Sequence, residues 1–274
     1  MVRAYRLKFP KFKKRRVSEE AEENRYIRSD DTDVGDDAGE EESEGQDAVE
    51  EMPSIPVTQP VVASKKCGVF FILDKAPLEI GKVGKKHQLL NSDDHANFLK
   101  KQNKDPSDYR PDIVHQALLA ILDSPLTKSG RLEGLFMRTT RQALIEVKPH
   151  VRIPRTFRRF CGLMVQLLEK QKITAVGKRE KLLSLIKNPV TNHLPVNSRK
   201  IGLSYSSDKL VQMRDYVAAA SDSDCLVFVV GAMAHGVIDK GFIDDFISIS
   251  NYPLSAACCI SRICNALEQK WMIL

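Results

Sequence analysis

The stretch that decides the fold is Cys225–Ala257, which reads CLVFVVGAMAHG, then nine residues that include three aspartates, and then FISISNYPLSAA. A β-branched run ends at Gly231, and a second apolar run, Phe246–Ile249, ends at Ser250. The pattern predicts two buried strands that each open into a loop of small residues. Loops of this kind at neighbouring strand ends form the cleft where open α/β sheets bind nucleotide-like ligands.

Strand-like and helix-like patterns alternate along the rest of the chain. The patterns predict strands at Gly68–Leu73, Ile201–Tyr205 and Leu226–Val230, and a hairpin or paired strands at Arg131–Thr139 and Ala143–Val147. They predict helices at Asp112–Leu122, after Pro154, at Lys178–Ile186, near Asp208–Ala219 and after Pro253, whereas residues 76–111 are mixed and polar. Such alternation predicts an α/β layered fold with a largely parallel sheet.

The first 62 residues differ in composition from the rest. Residues 1–16 hold eight Lys or Arg and no acid, and residues 19–51 hold sixteen Asp or Glu against two Arg. Few apolar groups are present there to offset the chain entropy lost on folding. We therefore expect residues 1–62 to be a disordered basic-then-acidic tail that ends in a proline linker, and residues 63–274 to be the folded domain.

The charge of the folded part indicates a polyanionic partner. The whole chain carries +6, but residues 1–51 carry 10 basic and 16 acidic residues, so the remainder is +12. Such a charge favours nucleic acid as a partner. The alternative explanation is that the charge only reflects a lysine-rich surface that keeps the protein soluble. The run Lys11–Arg16 is typical of a nuclear import signal, although short basic runs are common.

The six cysteines indicate a reducing compartment without a metal site. They form no CxxC pair and no Cys/His zinc spacing, and several lie in apolar runs where cysteine behaves as a small hydrophobe. The basic N-terminus lacks the apolar core of a signal peptide, and no apolar stretch reaches the length that a membrane span needs. We therefore expect no metal and no membrane association.

An arginine-rich segment is the strongest functional candidate outside the two loops. Arg155 and Arg159 are four apart and are expected to share one face of the helix after Pro154, with Arg152 just upstream. No Asp or Glu occurs between Lys148 and Leu168, so local ion pairing does not explain these arginines. Because guanidinium groups match phosphate oxygens and stack on bases, the segment favours contact with RNA or DNA.

Two further signals have more than one explanation. In Arg110–Pro111–Asp112 the proline fixes the backbone between a cation and a carboxylate, and Asp112 either caps the following helix or takes part in catalysis. The residues alone favour capping. The loop with Gly231 and Gly236 lacks the dinucleotide and Walker spacings, so it fits S-adenosylmethionine better than a nucleoside phosphate.

Five motifs in order give the chain a family resemblance. They are RPDIVHQALLAILDSPL, EVKPHVRIPRTFRRFCGLMVQLL, IKNPVTNHLP, VFVVGAMAHG and ISNYPLSAA, and they lie between Arg110 and Ala257. The resemblance that they carry covers about Lys66 to Leu274. In these motifs the chain closely resembles the eukaryotic Nep/Emg family of the SPOUT class of methyltransferases. The resemblance implies methylation of N1 of a pseudouridine in small-subunit (18S) ribosomal RNA, and a mostly parallel sheet with a C-terminal deep trefoil knot. It also implies a role in ribosome biogenesis, hence the nucleus and nucleolus.

The resemblance also implies roles for individual residues. The positions implied to bind S-adenosylmethionine, whose product is S-adenosylhomocysteine, are Leu203, Gly231, Gly236, Ile249, Ser250, Asn251, Tyr252, Pro253 and Leu254. The positions implied to contact RNA are Arg110, Arg152, Arg155 and Arg159, and Asp112 is implied to reach the target base. Arg110 and Asp112 are thereby the expected catalytic pair, which reverses the preference for capping. A homodimer through the knot helices, including Leu254–Leu267, is implied as well.

One alternative function uses the same surface. In that alternative the chain is a ribosome assembly factor that places itself on the RNA of the pre-ribosomal particle, with methylation secondary or absent. The cofactor loops at Gly231–Gly236 and Ser250–Leu254 favour a competent enzyme.

Overall fold

The structure is a computed structural model that describes residues 67–175, 180–221 and 223–274. Residues 1–62, their boundary at residue 63 and the basic run Lys11–Arg16 lie outside the described residues. The strands are β1 Val69–Ala76, β2 Ile80–Val83, β3 Lys86–Leu89, β4 Leu132–Thr139, β5 Leu144–Val147, β6 Lys172–Thr174, β7 Lys181–Ile186, β8 Ser198–Leu203, β9 Cys225–Gly231 and β10 Asp245–Ile247. The helices are α1 Ser92–Lys101, α2 Pro111–Leu122, α3 Pro125–Lys128, α4 Phe157–Lys170, α5 Met213–Ala218 and α6 Ala256–Lys270.

Eight strands form one mixed sheet in the order β10-β8-β9-β1-β4-β5-β7-β6. The first five of these run parallel to their neighbours, and β5, β7 and β6 continue the sheet in antiparallel fashion. Strands β2 and β3 form a separate antiparallel hairpin. The α/β class with a mostly parallel sheet is thus confirmed, and so is the predicted pairing of β4 with β5.

The central strand β1 is buried on both faces. Phe71 belongs to the larger core cluster, and its ring centroid lies 5.9 Å from that of Phe228 on β9. Phe70 and Ile72 belong to a second cluster with Val227 and Val229, on the opposite face. A strand covered on both sides reads as an unbroken apolar run, which explains the sequence VFFIL at this position.

Two long helices cover the face of the sheet that holds the larger cluster. The helical spacing of Phe157, Phe160, Met164, Leu167 and Leu168 predicts an apolar stripe on α4. Phe160, Met164 and Leu167 are fully buried and the other two are half-buried, which confirms it. Helix α6 buries Ile263 and Leu267 and packs against α2 and α5. Because α2 packs against α6 and contacts β1, its first turn is held on a rigid support.

The prediction of a helix at Lys178–Ile186 is wrong. Lys181–Ile186 is strand β7, which pairs antiparallel with β5 in the register Glu146↔Ser184. A short apolar run is compatible with either a helix or a strand. Here the run forms a strand because its backbone pairs with the edge of β5 that β4 leaves free. The polar stretch 76–111 contains the β2–β3 hairpin and α1, and the helix expected near Asp208–Ala219 is limited to Met213–Ala218.

Two cysteines differ from the expected reduced state. Cys67 and Cys225 form a disulfide, with Cα atoms 5.2 Å apart. Cys67 lies just before β1, and Cys225 begins β9. Parallel pairing of these two strands, with Val69 opposite Leu226, brings the two cysteines together across the sheet. Residues so distant in sequence show no pairing signal of their own.

Glycine at position 162 gives a test of the helix assignment. Gly162 lies in α4, and a Cβ added there meets nothing within 4 Å. Because glycine has more backbone freedom to lose than alanine, Gly162→Ala is expected to stabilise the protein by about 0.5–1 kcal/mol in urea unfolding.

Gly134→Ala is the matched control on β4. A Cβ there would lie 2.7 Å from the ring of the buried Phe70, so this substitution is expected to destabilise. A Gly162→Ala protein less stable than the parent would contradict the helix.

Candidate functional site

Three neighbouring strands end at the same edge of the sheet. Because β8, β9 and β10 are parallel, the loops that follow them begin side by side after Leu203, Gly231 and Ile247. These loops line a cavity of about 790 Å³. The lining residues from this part of the chain are Leu203–Ser206, Val230, Gly231, Met233–Ile238, Ile247–Ser250, Tyr252, Leu254–Ala257 and Cys259. The predicted cleft between strand ends is therefore present.

Most of the predicted cofactor residues lie on this cavity. Leu203, Gly231, Gly236, Ile249, Ser250, Tyr252 and Leu254 line it. Asn251 lies instead on a neighbouring groove of about 730 Å³ beside α5 and α6. Pro253 lines neither hollow. The exposed position of Tyr252, at 75%, leaves its ring accessible at the cavity wall.

The two glycines shape the loop after β9. Gly236 has a φ of +120°, which side chains other than glycine rarely allow. A Cβ at Gly231 would lie 3.2 Å from Cε of Met233 and 3.6 Å from Ile238, so the loop closes tightly over its own start. Small residues at these positions keep the backbone exposed to the cavity.

The opposite wall of the cavity comes from the region around α2. Ser92, Ser107, Arg110, Asp112, Ile113 and Gln116 line it. Asp112 and Gln116 are four residues apart on α2 and so share one face of the helix. The structure thus brings the predicted catalytic pair and the predicted cofactor loops onto one cavity, although about 90 to 140 residues separate them in the sequence.

Arg110 and Asp112 form a bidentate ion pair. Nε of Arg110 donates to Oδ1 of Asp112 at 2.8 Å, and Nη2 donates to Oδ2 at 2.7 Å. Hydrogen bonding from Arg110 lowers the pKa of Asp112, and the backbone N–H groups of Asp112 and Ile113 at the start of α2 lower it further, against the opposing effect of burial. Asp112 is therefore an ionised acceptor at neutral pH that faces the cavity.

Of the four arginines predicted to contact RNA, only Arg110 lines this cavity. Arg152, Arg155 and Arg159 are all exposed, and none of them lines the hollow. The prediction that Arg155 shares a helix face with Arg159 is wrong. Thr156 is the N-cap with extended backbone angles, and α4 begins at Phe157, so Arg152 and Arg155 lie in the segment that precedes the helix.

Arg155 also has an acidic partner that the local sequence does not reveal. Its Nη2 lies 3.2 Å from Oδ2 of Asp123, at the end of α2. The Arg155 side chain is 79% exposed, so solvent weakens this pair. The guanidinium group is held in place yet remains accessible to a polyanion.

His115 joins the arginine segment to the cavity wall. Its Nε2 lies 2.7 Å from the carbonyl oxygen of Pro154, and its ring stacks on Phe160 with centroids 4.6 Å apart. His115 is only 5% exposed, so it packs in the interior between α2 and α4. One helix, α2, therefore carries Asp112 on the cavity and fixes the backbone next to Arg155.

Several residues of this surface have no counterpart among the sequence predictions. Arg158 is exposed on α4 next to Arg159, and only its place in the same basic run could have indicated it. Gln116 could have been found from its helical spacing to Asp112. Tyr205 and His235 line the cavity from loops whose course the sequence does not specify.

Two classes of feature are absent from the part of the chain that the structure describes. Residues 67–175, 180–221 and 223–274 contain no cluster of three or more His, Cys, Asp or Glu side chains placed to hold a metal ion. Within the same ranges, every helix is too short or too polar to cross a bilayer.

Comparison with known proteins places this geometry in a family. The family model described as "EMG1/NEP1 methyltransferase" matches residues 71–268. The chain is 49% identical over 206 residues to "Ribosomal RNA small subunit methyltransferase nep-1" of Caenorhabditis elegans, which covers 75% of this chain and 88% of the relative. It is 44% identical over 237 residues to the Homo sapiens protein "Ribosomal RNA small subunit methyltransferase NEP1", covering 85% and 96% respectively.

A solved structure has the same fold. It is described as "Crystal structure of Archaeoglobus Fulgidus Nep1 bound to S-adenosylhomocysteine". The match has a TM-score of 0.56 at 23% identity and covers 75% of this chain and 99% of that chain. At this level of identity the likeness concerns the fold.

The ion pair at the cavity gives a direct test of its electrostatics. Replacing Arg110 with Gln removes the main group that stabilises the Asp112 carboxylate, while burial still disfavours its charge. In Arg110→Gln the pKa of Asp112 is expected to rise from its lowered position toward the ordinary 3.8, as followed by carbon NMR of the carboxyl group during a pH titration.

Arg155→Gln is the matched control, because Arg155 pairs with Asp123 and not with Asp112. An Asp112 pKa that stays unchanged in Arg110→Gln, or that shifts equally in both variants, would contradict the geometry of the pair.

Proposed function

This chain belongs to the EMG1/NEP1 methyltransferase family, and we propose that it transfers a methyl group from S-adenosylmethionine to small-subunit ribosomal RNA. The observation that carries the proposal is the single cavity between the loops after β8, β9 and β10 and the Arg110–Asp112 pair. Such a cavity holds a methyl donor and an acceptor base within one enclosure. Holding two reactants together in a fixed orientation supplies a large part of the rate of a transfer reaction.

The cavity fits the methyl donor. Its volume of about 790 Å³ lies in the range of small-molecule sites, and its walls mix apolar side chains such as Leu203, Ile249 and Leu254 with loop backbone. Gly231 and Gly236 let the backbone approach a ligand closely, without the spacing that cradles phosphates. When bound, S-adenosylmethionine supplies an activated methyl group on a sulfonium centre. The residues proposed to hold it are Leu203, Gly231, Gly236, Ile249, Ser250, Asn251, Tyr252, Pro253 and Leu254.

The RNA surface is proposed to lie around Arg152, Arg155, Arg158 and Arg159. These side chains are exposed next to α2, and the chain after residue 51 carries a net charge of +12. Phosphate contacts of this kind position an RNA without reading its sequence. A base that leaves its stack then enters the cavity, as in other enzymes that modify nucleobases.

We propose N1 of a pseudouridine as the methyl acceptor. Pseudouridine is joined to ribose through carbon, so its N1 carries a hydrogen that must be lost before methylation. Asp112 accepts a hydrogen bond from the base, and Arg110 stabilises negative charge that develops on it. Because the Asp112 pKa is lowered, its carboxylate is a weak base, which favours orientation of the acceptor nitrogen over proton removal by Asp112 alone. The N1 proton then leaves to solvent water, and the methyl group passes from sulfur to N1 with S-adenosylhomocysteine as the leaving group.

The proposal includes the knot and the dimer of the SPOUT class. Ser248 N donates to Lys209 O at 2.8 Å, and Val211 N donates to Ser248 O at 2.8 Å, so the chain after β10 lies against the connection between β8 and α5. These contacts bring the segment after β10 to the connection through which the C-terminal segment passes in the proposed knot, an arrangement rare among folds. The groove of about 730 Å³ along Met213 and the exposed side of α6 supports docking of a second copy there.

Nuclear and nucleolar location, and work within the pre-ribosomal particle, belong to the same proposal. They follow from the RNA substrate named for the relatives. The alternative, an assembly factor without methylation, makes the opposite prediction for the cavity, since it requires no donor to bind there.

Replacing Asp112 with Asn separates donor binding from methyl transfer. Asn keeps the size of the side chain but loses the negative charge that holds Arg110 and the base. Asp112→Asn is expected to bind S-adenosylhomocysteine in calorimetry within about twofold of the parent, and to lose methyl transfer to a pseudouridine hairpin by about a hundredfold or more.

Asp215→Asn is the matched control, because Asp215 is an exposed acid in the first turn of α5 that lines neither the cavity nor the groove. Full turnover in Asp112→Asn would remove Asp112 from the reaction. A parent protein that binds no S-adenosylhomocysteine at millimolar concentration would remove the enzyme and favour the assembly factor.

The arginine surface makes its own prediction. Each phosphate contact releases condensed counterions, so Arg155→Ala and Arg159→Ala are each expected to weaken RNA binding and to reduce the slope of log affinity against log salt by about one unit. Lys170→Ala is the matched control, because Lys170 lies at the opposite end of α4. Salt slopes that are unchanged in both arginine variants would place the RNA elsewhere.

A further inference from the structure

Asp74, Arg138 and Asp239 form a chain of charges, which we name the loop anchor, behind the cavity. Nε of Arg138 donates to Oδ1 of Asp74 at 2.6 Å, and Nη1 of Arg138 lies 3.3 Å from Oδ2 of Asp239. Asp74 is fully buried near the end of β1, and the Arg138 side chain on β4 is only 11% exposed. The guanidinium group also lies over the ring of Phe242, 5.3 Å from its centroid.

The loop anchor fixes both ends of the loop after β9. At the start of the loop, Ala232 N donates to the carbonyl oxygen of Asp74 at 2.8 Å. At the far end, Asp239 N donates to Oδ2 of the same Asp74 at 3.3 Å. The residues between these two points, Met233–Ile238, all line the cavity and include Gly236 with its φ of +120°. One buried residue therefore sets the span of a loop that forms a cavity wall.

The fold alone gives no reason for a charge at this position. Residues 69–73 of β1 are apolar and buried, and Asp74 follows them in the same strand. A buried ion pair contributes little to stability when an apolar pair of similar volume could replace it. Such a pair does impose a defined geometry on the groups that it holds, because any displacement leaves a buried charge without its partner.

We propose that the loop anchor sets the affinity of the cavity for the methyl donor by holding Met233–Ile238 in their binding shape. None of Asp74, Arg138 and Asp239 lines the cavity, so each is a positioning residue that acts through the loop backbone. The inference rests on the proposed function, since it takes S-adenosylmethionine to be the ligand of this cavity. It predicts a loss of donor affinity without a loss of the chemical step.

Asp239→Asn is the decisive variant. The Asp239 side chain is 54% exposed, and the Asp74–Arg138 pair remains intact without its charge, so the protein is expected to fold with an unchanged Tm. Loss of the charged link to Arg138 removes one of the two contacts that hold the far end of the loop, while the hydrogen bond from Asp239 N to Asp74 remains. The Kd for S-adenosylhomocysteine and the KM for S-adenosylmethionine are expected to rise about three- to tenfold, while kcat at saturating donor stays within about twofold.

Asp244→Asn is the matched control. Asp244 is an acid of similar exposure, at 50%, in the same connection, but it pairs with Lys200 and not with Arg138. The Kd of the Asp244→Asn protein for S-adenosylhomocysteine is expected to equal that of the parent. A second test places Asp239→Asn in an Arg138→Gln background, where the substitution is expected to have no further effect on Kd, because its partner is already absent.

The outcomes separate the inference from the proposed function. A parent protein that binds no donor product overturns both. If the parent binds, the inference is overturned by an unchanged Kd in Asp239→Asn, by an equal rise in Asp244→Asn, or by a full additional rise in the Arg138→Gln background. A rise confined to Asp239→Asn that disappears in that background supports it.

Discussion

Parallel alignment of β8, β9 and β10 is the constraint on which the rest of the structure depends. Parallel strands end at one edge, so three loops that are distant in sequence begin side by side and enclose a common space. β1 lies next to β9 in the same orientation, is buried on both faces and fixes the position of that edge in the core. Without this alignment, Gly231 and Ser250 would have no shared cavity.

Helix α2 supplies the other half of the site. It packs against α6 and contacts β1, and its first turn presents the Arg110–Asp112 pair to the same cavity. Its next turn holds His115, which binds the backbone before α4 and so places Arg155 nearby. A single rigid element thus connects the space for a methyl donor with the surface proposed for RNA. The lowered pKa of Asp112 keeps its carboxylate ionised and paired with Arg110 at the cavity wall.

The sequence predicted those parts of the structure that depend on local pattern. Burial and backbone conformation restrict residue type directly. For this reason the sequence predicts the buried strand β1, the apolar stripe of α4 and the glycine loop after β9. β7 was misassigned because its short apolar run depends on pairing with β5. The Arg155–Asp123 pair, the Cys67–Cys225 disulfide and the loop anchor join residues far apart in sequence, so no local pattern indicates them.

The most direct test of the central claim is mass spectrometry of two RNA hairpins that differ only in one base, after incubation with the full chain and S-adenosylmethionine. A cavity that holds the donor next to Asp112 and an everted pseudouridine predicts that the pseudouridine hairpin gains one methyl group on that base. The hairpin with uridine at the same position is predicted to stay unmodified, because its N1 is bonded to ribose. Methylation of both hairpins alike, or of neither, would contradict the account.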